Sequence, residues 1–400
     1  MVQSRSFSSL LFKPIRIGTM KLSNRFVRSA TVDCSVDLSG EVDEKTVEFY
    51  TKLAKGGVGL IITGAASVDK TGSFCHCQMR VDHDRFIPGL KRLANAIHQY
   101  ESKVALQIHH GGRDSPVVAI KGETLLVPSR DKDLNVKHRQ MTTQDIWTTI
   151  DAFGQAARRA KEAEFDAVEL HGAHGYLFSQ FLSPTTNKRG DEWGGTLENR
   201  MRFHIEVYKK VREMVGASYP VIIKLGIKDI GFLGGLTLEE GCKVTSRLSR
   251  LGMNAIEVSA GRAASPTPTT PKSYNYVRVG IRSANQEAYF RSWGRKVKQV
   301  ISVPLILVGG IRSLETAEKL VEDGYADCIS LCRPLIREPG LVNSWRMGEK
   351  KVADCVSCNL CLHNIEPFWT KPQNEIDLTW PRLQCIHEKI EATSKESSNI

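Results

Sequence analysis

Eight short runs rich in β-branched and apolar residues recur along the chain. Each is followed by a longer stretch whose apolar residues repeat at helical spacing. Short apolar runs read as buried strands and longer periodic segments as amphipathic helices. The pattern predicts strands at 26–29, 58–63, 104–108, 167–170, 221–225, 255–259, 305–308 and 328–331. It predicts helices at 47–55, 87–100, 143–163, 197–215, 238–251, 286–300, 314–322 and 340–348. Eight βα units match an α/β chain closed into a (β/α)8 TIM barrel. No Gly-x-Gly-x-x-Gly follows the first run, which tells against a doubly wound dinucleotide fold.

A weak internal repeat supports the barrel. KLAKGGVGLIIT, AKEAEFDAVELH, SRLGMNAIEVS and VEDGYADCISL each close a helix, turn and enter a strand, at strands two, four, six and eight. Before the first strand, IGTMKLSNR reads as an N-terminal hairpin plugging the barrel floor. The expected layout is a barrel over residues 1–350 and a cysteine-containing extension over 351–400, polar from residue 388. The long connections 109–142 and 261–285 follow strands. They therefore lie at the C-terminal face, where such barrels carry their chemistry, and suit a lid or specificity cap. Tyr274 and Tyr276 in the second are candidate pocket walls.

The chain has 400 residues, 41% hydrophobic and 25% charged. That composition excludes wholesale disorder and a coiled coil. The longest nearly apolar stretch, 57–68, falls short of the ~20 residues a membrane helix needs. The first residues hold serines and Arg5 without an apolar core, so no secretory signal is expected. Ten cysteines are too sparse for a disulfide scaffold, and the expectation is a cytoplasmic protein with free thiols. A net charge of +11 could serve nucleic acid, yet there is no run of five Lys or Arg and no zinc-finger or RNA-recognition motif. The expected partners are a small-molecule substrate and a phosphate-bearing ligand, with neither nucleic acid nor membrane. Homo-oligomerisation stays open.

The densest constellation, HGAHGYLFSQFLSP, sets His171, His174 and Tyr176 at the end of strand four. The two histidines can be read as a zinc site with Glu169, as a packing pair, or as two donors that grip one carbonyl oxygen. Two donors aimed at one oxygen stabilise developing negative charge, as in an oxyanion hole. A tyrosine phenol is protonated at neutral pH and can serve as a general acid. Strands seven and eight end in Val308-Gly309-Gly310 and Leu331-Cys332-Arg333. Glycine lets backbone N–H groups approach an anion, barrels commonly bind phosphate after these strands, and Arg333 adds a charge-assisted partner.

HGAHGYLFSQFLSPTTNKRGDEWGGTLENR, together with LFKPIRIGTMKLSNRFVRSAT, ALQIHHGGR, VGGIRS and ISLCRPLIREP, resembles the Old Yellow Enzyme family of flavin-dependent ene-reductases over roughly residues 10–350. The resemblance implies FMN as cofactor and NAD(P)H as reductant. It implies that His171 and His174 hydrogen-bond the electron-withdrawing oxygen of a substrate and that Tyr176 protonates the carbon α to it. Gln107 and Lys224 would meet the pyrimidine edge of the flavin. Ala30, Thr31 and Ala65 would approach the isoalloxazine, and Gly309, Gly310, Cys332 and Arg333 would hold the phosphate end. Val32 stands where many relatives carry Thr or Cys, a departure that removes one contact to the flavin.

Cys355, Cys358 and Cys361 form a C-x2-C-x2-C run, and Cys385 follows only after IEPFWTKPQNEIDLTWP, which reads as an insertion. Such a run resembles the [4Fe-4S] ligands of the trimethylamine dehydrogenase and 2,4-dienoyl-CoA reductase branch. Iron–sulfur, zinc and a ligand-free remnant all stay open at this point. No dinucleotide fingerprint follows the barrel, so NAD(P)H is expected to dock over the flavin itself. The leading expectation is an NAD(P)H-dependent FMN ene-reductase. A flavin-dependent amine dehydrogenase or demethylase and a non-catalytic phosphate-ligand barrel are the alternatives.

Overall fold

The computed structural model describes residues 9–263, 277–377 and 383–387. Eight parallel strands carry the fold: β1 (Phe26–Arg28), β2 (Leu60–Ile62), β3 (Lys103–His109), β4 (Ala167–Gly172), β5 (Val221–Gly226), β6 (Ala255–Ser259), β7 (Leu305–Leu307) and β8 (Cys328–Leu331). Each pairs with the next, and β8 returns to β1 with Ile329 opposite Phe26, so the sheet closes into the expected barrel. Around it run α1 (Glu44–Lys55), α2 (Ile87–His98), α3 (Thr143–Glu162), α4 (Leu197–Val215), α5 (Leu238–Leu251), α6 (Arg291–Lys298), α7 (Leu314–Glu322) and α8 (Leu341–Met347).

The helix starts follow local chemistry. Thr142 and Thr237 form capping boxes with Asp145 and Glu240, each pair satisfying N–H groups that a helix end leaves open. Inside the barrel, Val27, Leu60, Ile62, Ala105, Ile222 and Ile306 pack on Ile17, Met20 and Leu22 of the hairpin Ile15–Ile17/Met20–Leu22. The hairpin therefore plugs the floor, as read from IGTMKLSNR. Alternate strand residues face outward onto the helices, and each buried Val, Leu or Ile contributes about 1.5–3 kcal/mol.

One helix departs from expectation. The segment 286–300 is helical only from Arg291, after a 3-10 turn at Ala284–Gln286. Glu287 explains the difference: its carboxylate accepts from the N–H groups of Arg312 and Ser313 at 2.9 and 3.0 Å, and Ala288 has φ +49°, which breaks the helical path. Further elements had no sequence forecast, among them the helices Leu177–Leu182, Arg333–Arg337, Leu360–His363 and Pro367–Thr370, and a parallel pair Leu125–Val127/His138–Gln140 in the first long connection. The extension packs against the barrel, where Cys361, Ile365, Phe368 and Leu383 share a buried cluster with Cys34, Cys75 and Ile336. Tyr274, Tyr276 and the polar tail lie outside the described residues. No described helix is long and apolar enough to cross a membrane.

Candidate active site at the barrel mouth

A cavity opens at the C-terminal mouth. Its wall includes His171, His174, Tyr176, Gln107, Lys224, Ala30, Thr31, Ala65, Gly310, Cys332 and Arg333. Gly309 is the exception among the expected residues; the ring of Tyr289 lies against it, 3.3 Å from where its Cβ would stand. At Gly310, with φ +72°, a Cβ would fall 2.9 Å from the same ring, so glycine is required there both for space and for conformation.

Strand register brings the polar groups together. Lys224 of β5 stands beside His171 of β4 and Glu257 of β6, and Gln107 of β3 beside Glu169 of β4. After β4 the chain turns through His174 (φ +63°) and Gly175 (φ +84°). Gln180 clamps this turn by donating to the carbonyls of Gly175 and Gly111. The turn swings His174 back so that its Nε2 lies 2.7 Å from Ser259 Oγ.

A third histidine joins the expected pair. His109 ends β3, lines the cavity, and its ring centre lies 5.2 Å from that of His171 and 4.5 Å from that of Tyr176. Its signal was present in the sequence, since alternate strand residues share a face and Gln107 is two positions earlier. Burial holds His109 down to about 3, helped by His110 and His174. Burial and then Lys224 hold His174 down to about 3, and burial places His171 well below the ordinary value. All three imidazoles are therefore neutral at pH 7. Both ring nitrogens of His109 and Nδ1 of His171 are buried with no hydrogen-bond partner among the described residues. Such groups cost free energy unless a ligand meets them.

Beneath them lies a buried charge network. The Lys224 ammonium is 3.2 Å from Glu257 Oε2 and 3.0 Å from Ser29 Oγ, a buried salt bridge. Burial pushes the ammonium down, but Glu257 and Glu169 outweigh it and raise its pKa. Burial likewise disfavours the Glu257 carboxylate, but Lys224 and the donors Ser29 and Ser330 outweigh it and hold its pKa low. Burial pushes Glu169 well up, leaving it the protonated member of the pair, with Gln107 donating to its Oε2 at 2.7 Å. Glu169 thus faces Gln107 and Lys224. Among the described residues no group of three or more His, Cys, Asp or Glu is placed to hold a metal ion, so the zinc reading of His171 and His174 finds no support.

The residues fit FMN. Arg333 spends only Nη1 on the protein, donating to Asn359 Oδ1 (2.6 Å), the Arg278 carbonyl (2.8 Å) and the Ser357 carbonyl (3.4 Å). No described acceptor meets its Nε or Nη2, which leaves a charged pair of donors for a phosphate. Lys224 supplies a second fixed cation to the same cavity. Ala30 and Ala65 line the cavity with their carbonyls already accepting from Lys224 (3.4 Å) and Gln78 (2.8 Å). One corner of the wall is aromatic: Phe74 packs edge-on to Tyr176 at 5.3 Å and against Trp369 at 5.4 Å. Trp369 comes from the insertion between the cysteines, and no local pattern announced its reach into the cavity.

Cys355, Cys358, Cys361 and Cys385 line a second, smaller cavity, with Arg333 on its wall as well. Ser357 and Asn359, between these cysteines, adopt φ +55° and +65°, so the loop curls tightly enough to aim its thiols into one space.

A model of the NADH:flavin oxidoreductase / NADH oxidase family matches residues 10–351. An NADH oxidase of Thermoanaerobacter brockii is 36% identical over 355 residues, which cover 88% of this chain and 53% of that protein. An NADPH dehydrogenase of Clostridium acetobutylicum is 32% identical over 84% of this chain and 94% of its own length. The solved structure of a 2-naphthoyl-CoA reductase in complex with 2-naphthoyl-CoA superposes with a TM-score of 0.80 at 30% identity, over 88% of this chain and 54% of that one. The chain spans about half the length of the first curated relatives it matches.

Proposed function

We propose that this chain, which belongs to the NADH:flavin oxidoreductase / NADH oxidase family, holds FMN at the mouth of its barrel and uses NAD(P)H to reduce an activated C=C bond. The observation that carries the reading is one cavity that gathers three neutral imidazoles and Tyr176 between two buried cations, Lys224 and Arg333. FMN, when bound there, would supply the hydride-transfer chemistry between NAD(P)H and the substrate.

The chain's own residues do the rest. Arg333, with the backbone at Gly309, Gly310 and Cys332, would hold the phosphate. Lys224 and Gln107 would hold the polar edge of the ring system, near the backbone of Ala30, Thr31 and Ala65. His171 and His174 donate N–H hydrogen bonds to one substrate oxygen. That oxygen belongs to a carbonyl, ester or nitro group, because hydride addition pushes charge onto it. Ser259 fixes the orientation of the His174 ring in the cavity wall. Tyr176 delivers a proton from its phenol oxygen to the carbon α to the activating group. Phe74, Tyr176 and Trp369 exclude water from that face.

Cys355, Cys358, Cys361 and Cys385 would hold a [4Fe-4S] cluster. The C-x2-C-x2-C spacing is one that iron–sulfur sites use, and all four cysteines line one space. The setting proposed is cytoplasmic, where such thiols stay reduced.

A direct test is to purify the chain, extract and identify its flavin, and mix it anaerobically with NADH or NADPH and then an enone. Flavin bleaching by the nicotinamide and its return on adding the enone are expected. A protein that binds no flavin, or whose reduced flavin is indifferent to enones, would overturn the reading.

A further inference from the structure

One described residue, Arg333, lines both the barrel-mouth cavity and the cysteine cavity. Every hydrogen bond it makes to a described residue leaves from Nη1, and two of the three go to the cysteine loop, to Asn359 Oδ1 at 2.6 Å and the Ser357 carbonyl at 3.4 Å. Asn359 sits directly after Cys358, is 3% exposed, and also donates from Nδ2 to the Val277 carbonyl at 3.5 Å. Its φ of +65° is a conformation that Asn tolerates better than most residues. One residue thus combines a left-handed turn within the cysteine run with a buried acceptor for the arginine.

We infer that Asn359 is a positioning residue for flavin binding: it fixes Nη1 of Arg333 toward the cysteine loop so that Nε and Nη2 present their donors to the FMN phosphate. The conformation of the cysteine loop and the affinity for FMN are then coupled. A guanidinium is a planar fork, so anchoring one nitrogen sets the direction of the other two. Coupling of this kind is reciprocal: a loop that orients Arg333 for phosphate is itself steadied when phosphate binds. The inference rests on the proposed FMN site.

The test uses the full chain stripped of flavin and retitrated with FMN and, separately, with riboflavin, which has the same ring system and no phosphate. Asn359→Gly keeps the left-handed turn and removes the acceptor; Asn359→Asp keeps both. Asn359→Gly is expected to weaken FMN by roughly tenfold, the worth of one charge-assisted hydrogen bond, and to leave riboflavin affinity unchanged. Asn359→Asp is expected to restore FMN affinity. In iron-free protein, FMN should slow alkylation of the four cysteines, counted by mass spectrometry, more than riboflavin does. Equal FMN affinity in wild type and Asn359→Gly overturns the inference. So does an equal loss for FMN and riboflavin, which marks a merely structural residue. Failure of the wild-type chain to bind FMN at all overturns the proposed function and this inference with it.

Discussion

The phenol ring of Tyr176 stands edge-on to the imidazole of His109, with ring centres 4.5 Å apart and planes at 89°. His171 flanks the same ring at 5.0 Å and Phe74 at 5.3 Å. Packing thus holds the ring from three sides, and Tyr176→Phe removes the hydroxyl while keeping those contacts. Flavin reduction by NAD(P)H should be nearly unchanged in this variant, and enone turnover should fall by ~10²-fold or more, the usual worth of a general acid. Stopped-flow measurement of the two half-reactions separates these effects. A parallel fall in both would make Tyr176 structural.

Phenols report on the histidines. A phenolate places a charged oxygen where a substrate oxygen would develop charge, and over oxidised flavin it gives a long-wavelength charge-transfer band. His171→Ala and His174→Ala should each weaken phenol binding by roughly tenfold or more, the cost of one hydrogen bond to a charged oxygen. His109 carries two unpartnered ring nitrogens in the same cavity, so His109→Ala should also shift phenol affinity. A wild-type protein with FMN bound and no spectral response to phenol would sink the two-donor model.

Much of this fold is written in contiguous residues. The strands 255–259 and 328–331 and the helices 197–215, 238–251 and 314–322 stand where the periodicity put them. Capping residues and apolar spacing act within one or two turns, so a short window contains them. His171, His174, Tyr176 and Arg333 were legible because motif and strand end coincide. His109 was readable but unread: it shares the face of Gln107. Glu169 and Glu257 are carboxylates in the middle of apolar strands, a local sign of a buried charge partner, yet only the register shows that Lys224 is that partner. Trp369 had no local sign at all, because its place depends on how the extension folds back onto Phe74.

Removing that partner should be costly. Lys224 and Glu257 are almost wholly buried, and Lys224→Met leaves the Glu257 carboxylate without its cation. Breaking a buried pair from one side typically costs about 3–5 kcal/mol. The variant should melt well below wild type in thermal denaturation, and Lys224→Met/Glu257→Gln should recover much of the loss. If the double variant melts no higher than the single one, the charges are not coupled.

His204 allows a test of acid sensitivity away from the cavity. It lies on α4 against Phe178, fully buried, with neither ring nitrogen hydrogen-bonded, and burial holds it down to about 3. An unfolded histidine titrates near ~6.5. Between those values the unfolded chain binds a proton that the folded chain refuses, so this residue makes stability rise with pH across the window and adds no slope above it. His204→Leu should therefore reduce the pH dependence of unfolding between about pH 6 and 4 by up to one proton. It should also stabilise the protein at neutral pH by about 1–3 kcal/mol, because two unsatisfied buried polar atoms disappear. Denaturant melts at a series of pH values measure both, and an unchanged acid slope would show that His204 is protonated in the folded state.

Trp369 bears on the choice between alkene reduction and amine oxidation. Its ring meets Phe74 at 5.4 Å, and the two form an aromatic corner of the cavity with Tyr176. A protonated amine could be held there by ring faces alone. However, no Asp or Glu stands among the described lining residues, while Lys224 and Arg333 both do. The lining thus offers a cationic substrate no carboxylate partner, and it suits a neutral or anionic substrate with a flat apolar group. Trp369→Ala should raise KM for an aryl-substituted enone by about tenfold, since a buried aromatic contact contributes on the order of 0.5–1.5 kcal/mol beyond its area. It should change KM for a small cyclic enone far less and leave FMN affinity alone. Steady-state kinetics with the two enones decide the point. Faster flavin reduction by methylated amines than by NAD(P)H would instead assign the aromatic corner to amine binding.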